Sequence, residues 1–164
     1  MDYYETVMTH YLRSDRAVFL NTECCIQLNE GSNPDNSGPH WYCDAVAADF
    51  RNKTIFLCEI SYSKGLPTLT KRLKRWHDDW ELVCHALTRD SFLDKVWPVR
   101  PWLFVPEQLI PLLLRRFQEI SGGSPLKYAP RITPLEMIQP WQYQSWNRIG
   151  EVAKPDVVPE TMRA

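Results

Sequence analysis

The chain has little of what marks a specialised class. It holds only 6 Gly in 164 residues, which excludes a collagen-like or Gly-rich protein. It has no apolar run of 18 residues, so no membrane-spanning helix is expected. Its net charge is only −1, which argues against coating nucleic acid through bulk charge. The five cysteines are odd in number, Cys24 and Cys25 are adjacent, and no CxxC pair occurs. That spacing fits neither a disulfide framework nor a zinc site. Cys43, Cys58 and Cys84 lie in apolar runs, where a free thiol acts as a small hydrophobe. The start, MDYYETVMTHYL, has acids and neither the basic nor the apolar stretch of a signal peptide. A reducing cytoplasm is the expected compartment. GxxxxGK, GxSxG and HExxH are all missing.

What is there describes an ordinary soluble domain with a real core. The chain is 44% hydrophobic and 12% aromatic, with a mean hydropathy of −0.39. The length suits one domain and not two. The small net charge hides an asymmetry. Residues 1–50 carry 2 basic against 8 acidic side chains, residues 51–127 carry 13 against 8, and residues 128–164 carry 4 of each.

Apolar spacing supplies the elements. Tyr4, Val7, Met8, Tyr11 and Leu12 form one stripe, which predicts a helix over 2–13. Residues 17–29 predict one or two strands, and 31–39 a loop of Gly, Pro and Asn. Residues 41–49 and 54–62 are apolar runs flanking a four-residue turn, Phe50 to Lys53, and predict an antiparallel hairpin covered on both faces. A helix is expected over 66–88, with Pro67 in its first turn. Residues 96–106 read as a strand whose prolines favour a sheet edge or a late start near Trp102. A further helix over 107–120 stops at Gly122 and Gly123. The expected class is therefore α/β, with three layers and a mixed sheet. Residues 1–122 form the core. Residues 123–164 read as a Pro- and Trp-containing extension, with one helix around 134–148 and a disordered end.

Two acids interrupt the apolar hairpin. A turn centred between Arg51 and Asn52 puts Asp44 opposite Glu59, and opposite residues share a face. Two carboxylates facing each other are unfavourable unless something neutralises them. A divalent cation does that, as Mg²⁺ takes one or two carboxylates plus waters and phosphate oxygens. A salt bridge to Arg72 or Arg75 is the structural alternative. Beyond this pair, Lys71, Arg72, Lys74 and Arg75 make a basic helix face, suited either to solvent or to phosphate contact. His40 reads as a loop histidine, and His77 and His85 lack an acid at metal spacing.

Asp44, a hairpin, then Glu59-Ile60-Ser61, preceded by a helix and followed by a basic one, resembles the PD-(D/E)XK nuclease superfamily over roughly residues 2–106. The resemblance implies a restriction-endonuclease-like α/β/α core and Mg²⁺- or Mn²⁺-dependent hydrolysis of DNA, with RNA also an option. It makes Asp44 and Glu59 the metal ligands, with the Ile60 carbonyl completing the site and Glu5 as the extra acid some branches supply. Lys71, Arg72, Lys74 and Arg75 would grip the nucleic-acid backbone. The sequence departs from the pattern twice. Cys43 stands where Pro is usual, and Ser61 stands where the motif has Lys. Lys64, leaving the strand end, or Lys71, on the next helix, is the candidate replacement. If neither serves, the chain is an inactive nuclease-fold module that binds a protein or nucleic acid. No membrane partner is expected, and a homodimer is left open.

Overall fold

The structure is a computed structural model that describes residues 2–29, 39–91 and 97–143. The 31–39 loop, except Pro39, and the chain after Tyr143 lie outside the described residues. The chain runs α1 (Tyr3–Arg13), β1 (Val18–Gln27), β2 (His40–Asp49), β3 (Thr54–Ile60), α2 (Pro67–Asp78), α3 (Trp80–Ser91), β4 (Val99–Val105), α4 (Ile110–Ser121) and β5 (Arg131–Pro134). The protein is of the α/β class. The five strands of the described residues lie in chain order in one mixed sheet, antiparallel from β1 to β3 and parallel from β3 to β5. No described helix is long and apolar enough to cross a membrane.

The helix ends follow local chemistry. A capping box starts α1: the Asp2 carboxylate accepts the Glu5 N–H at 2.9 Å, and the Glu5 carboxylate accepts the Asp2 N–H at 2.9 Å. Pro67 opens α2, preceded by the fully buried Leu66 in the left-handed region at φ 52°. Gly122, at φ 59°, closes α4 as a left-handed cap.

Two hydrophobic clusters hold the helices to the sheet. One joins Val7, Met8, Tyr11 and Leu12 of α1 to Phe56 and Cys58 of β3 and to Trp102 and Phe104 of β4. The other joins α2, α3 and α4 to Leu57 of β3 and to Leu103 and Val105 of β4. Alternate residues of one strand point to opposite faces, so the clusters cover the two sides of the sheet. This explains why β3 is apolar at nearly every position, with every residue from Thr54 to Glu59 buried.

Three expectations need correction. The helix expected over 66–88 is two helices that break at Asp79, where φ is −106° and ψ is 20°. Leu73, Trp76, Trp80 and Val83 keep helical spacing across the break, and so the pattern conceals it. β4 starts at Val99 rather than near Trp102, and it lies between two strands rather than at an edge. The prolines still fit. β4 pairs with β3 from Val99 but with β5 only from Trp102, so Pro101 sits where one side has no partner. Finally, residues 131–134 form the fifth strand, followed by two short 3-10 turns at Leu135–Ile138 and Pro140–Gln142 instead of the start of a helix.

Candidate active site

The β2–β3 register places the two acids. Asp49 pairs with Thr54 and Ala45 with Cys58, so Asp44 falls opposite Glu59, as the turn length requires. The regular ladder ends there because the side chains take over its hydrogen bonds. The Asp44 N–H donates to Glu59 Oε1 at 3.2 Å, and the Ile60 N–H donates to Asp44 Oδ2 at 2.8 Å. Each acid thus holds the other strand's backbone.

The sheet is irregular at the same place on its other side. Val18 and Leu20 of β1 pack with the α1 cluster, whereas Cys24 and Ile26, two of the same parity, pack with the α2 cluster. β2 behaves alike: Ala45 and Ala47 face α1, and Cys43 faces the α2 side. A regular pleat keeps parity, so both strands change face between Thr22 and Cys24 and between Cys43 and Ala45. Glu23 sits at this point with φ 53°, a left-handed conformation that is costly for a side-chain-bearing residue.

Across this irregular point lies a cleft of about 190 Å³. Glu5, Met8 and Thr9 of α1 form one wall, Glu23, Tyr42, Cys43 and Asp44 another, and Arg72 of α2 a third. Arg72 is the cation of the site. Its Nη1 donates to Glu59 Oε1 at 2.6 Å and Oε2 at 2.5 Å, and lies 3.6 Å from Asp44 Oδ1. Glu59 is 3% exposed. Burial, and then the Asp44 charge, push its carboxyl up to about 8, while Arg72 pulls the other way. Burial raises the Asp44 carboxyl as well, opposed by the Ile60 N–H and by Arg72. One guanidinium therefore serves two carboxylates that both resist ionisation.

Glu5 lines the cleft and also closes the α1 capping box. Lys64 and Lys71 are exposed, and neither is among the residues lining the cleft. Ser61 bonds Ser63, with their hydroxyl oxygens 3.3 Å apart. Lys74 pairs with Asp78 at 3.0 Å on the outer side of α2, and Arg75 lies 4.7 Å from the centre of the Trp41 ring. Among the described residues, no group of three or more His, Cys, Asp or Glu side chains is arranged to hold a metal ion. Glu23, Thr9 and Tyr42 were not foreseen. The Glu23 position follows only from the β1–β2 register, which the long 28–39 connection hides from the sequence.

No family model, curated protein or solved structure matches the chain. The reading of the cleft rests on its own chemistry.

Proposed function

We propose that the cleft binds and hydrolyses a nucleic-acid phosphodiester, DNA before RNA, as a divalent-metal-dependent nuclease of the PD-(D/E)XK type. The observation that carries this reading is the pairing of Asp44, which lines the cleft with Glu5 and Arg72, with the buried Glu59 directly opposite it on the adjacent strand and bonded to the same Arg72. The order helix, three antiparallel strands, helices, parallel strand, with helices on both sheet faces, supports a restriction-endonuclease-like core.

The donor set fits a hard divalent cation. Asp44, Glu59 and the Ile60 carbonyl offer only oxygen, the ligand type that Mg²⁺ and Mn²⁺ take. When bound, the ion supplies positive charge to a phosphoryl oxygen and lowers the pKa of a bound water. Arg72 supplies what Ser61 cannot. It is a fixed cation at the same two carboxylates, and its planar donors match two phosphate oxygens. With its carboxylates engaged elsewhere, the Arg72 guanidinium would be free to hold the phosphate and offset its developing charge. Glu5 adds acid to the wall, where it can orient a water. Lys64 and Lys71, which are exposed and outside the cleft lining, together with Lys74 and Arg75, would meet the flanking phosphates.

The test is cleavage of plasmid and branched DNA with Mg²⁺ or Mn²⁺. Wild-type protein is expected to cut, and Asp44→Asn and Glu59→Gln to lose activity while remaining folded. Undiminished cutting in either variant overturns the assignment.

A second reading has its own observation. Arg72 already neutralises the acid pair, and no three-ligand group is present among the described residues. In that case the chain is an inactive nuclease-fold module in which Arg72 is structural. Calorimetric titration with Mn²⁺ separates the two. No heat at millimolar Mn²⁺, with DNA still bound and uncut, favours the module.

A further inference from the structure

Beside the cleft, two cysteines face each other. Cys24 of β1 and Cys43 of β2 are direct cross-strand partners, and both pack on the α2 side of the sheet. Opposite Cα atoms in an antiparallel pair are about 4.5 or 5.5 Å apart, depending on the rung. Both spacings lie inside the range a disulfide spans. All five thiols are free. Of the others in the sheet, Cys25 stands opposite Tyr42, and Cys58 stands between Ala45 and Trp102. Cys24 is half-buried while Cys43 is 2% exposed and lines the cleft next to Asp44. The two thiols thus differ in access.

We propose that Cys24 and Cys43 form a peroxide-responsive dithiol, closed by a hydroperoxide into a cross-strand disulfide. Cys24, the less buried of the pair, reacts first. Its thiolate sulfur attacks one peroxide oxygen and the O–O bond breaks. An S–O bond forms, giving a sulfenic acid, and the other oxygen leaves as water after taking a proton. The Cys43 sulfur then attacks the sulfenyl sulfur. The S–S bond forms, the S–O bond breaks, and the oxygen leaves as a second water with the Cys43 proton. The two thiols together give two electrons to the peroxide. The new bond fastens β1 to β2 at the rung beside Glu23 and Asp44, where both strands change face. A thiol reductant reverses it by exchange. This device does not depend on what the cleft does, and its test reads no cleavage.

The full chain is treated with a small excess of hydrogen peroxide, quenched with catalase, unfolded, and its remaining thiols alkylated. Mass spectrometry is expected to show three alkylated cysteines and the loss of two hydrogens, all reversed by dithiothreitol. Cutting after Glu30 separates Cys24 from Cys43 in sequence, so the two fragments stay joined only by the disulfide. Cys25→Ser keeps the link, which excludes Cys25 as the partner. Cys43→Ser loses the link and leaves a sulfenic acid at residue 24 that dimedone traps. If Cys43→Ser does not fold, Cys24→Ser, at a more exposed position, is expected to lose the link as well. A link that runs through Cys25, or oxidation of Cys25 with Cys24 and Cys43 still reduced, overturns the proposal.

Discussion

The two ends of the β2–β3 hairpin carry the same kinds of side chain in opposite conditions. At the turn end, Arg51 bonds Asp15 through two separate nitrogens, Nη1 to Oδ2 and Nη2 to Oδ1, both at 2.8 Å. Asp15 also accepts the Ala17 N–H. Asp49 accepts the N–H groups of Arg51 and Asn52 on one oxygen and the Asn52 side-chain amide on the other. One acid has its own guanidinium, and the other has three donors. At the open end, Asp44 and Glu59 share Arg72, mostly through a single nitrogen. The contrast separates acids that build the fold from acids held in reserve. At the turn each acid has its own set of donors, whereas beside the cleft two carboxylates divide one guanidinium and a single backbone N–H each. Sites that trade stability for function look like this.

The largest effect follows from replacing an acid by its amide at each end. Asp15→Asn breaks a bidentate ion pair between the buried Asp15 and the solvent-exposed Arg51, and is expected to cost about 2 kcal/mol. Glu59→Gln removes a carboxylate that burial and Asp44 already oppose, and is expected to be neutral or stabilising at pH 9. Urea unfolding of both variants at one pH measures the difference. Equal losses at both ends would remove the distinction between a structural and a surplus acid.

The next effect is that of the cation. Arg72→Ala leaves Asp44 and Glu59 facing each other without a cation, each keeping only its backbone N–H. At pH 6 Glu59 is protonated and absorbs most of the change. At pH 9 the wild-type Glu59 is ionised against Arg72, a gain the variant lacks, so the variant is expected to lose roughly 2 kcal/mol more than at pH 6. Adding Glu59→Gln should return most of that loss. A loss independent of pH would mean that Arg72 acts through packing of its stem rather than through its charge.

The pH dependence of the wild type is smaller and has a definite sign. Glu59 ionises at about 8 in the folded chain against 4.5 as a free side chain. The folded state holds this proton more tightly, so the group's contribution to stability is full below about pH 4.5 and is lost as the pH rises through 8. Between pH 7 and 9 the melting temperature should fall more in the wild type than in Glu59→Gln. Parallel curves for the two proteins would show that Glu59 is already ionised at neutral pH.

Much of this contrast is visible in the sequence, for a physical reason. A four-residue turn leaves few ways to pair its strands, and so Asp44 and Glu59 can be set opposite each other by counting. The period-two pattern also assigns the faces. What stays hidden depends on longer connections. β1 joins β2 through the 28–39 segment, and no counting rule puts Glu23 at the Asp44 rung. Arg72 is visible as part of a basic helix, but the sequence leaves open whether it serves phosphate or the acids, because that depends on how α2 lies on the sheet. β5 is only Arg131 to Pro134, too short to show a period, and it is a strand because β4 offers it an edge.

The smallest effect concerns α2 itself, where the two-ended contrast repeats on one helix. Arg72 faces the acids, and Lys74 faces solvent in an exposed pair with Asp78. Exposed pairs of this kind contribute little to folding, so Lys74→Ala should leave the unfolding midpoint unchanged within error. If the outer face of α2 meets phosphates, each lysine there releases about one counterion, and Lys74→Ala should lower the slope of log affinity against log salt by about 1. Fluorescence anisotropy with a labelled DNA duplex, titrated across salt in Ca²⁺ or without metal, measures this. An unchanged slope would leave Lys74 a solubilising residue and remove the outer face of α2 from the proposed nucleic-acid contact.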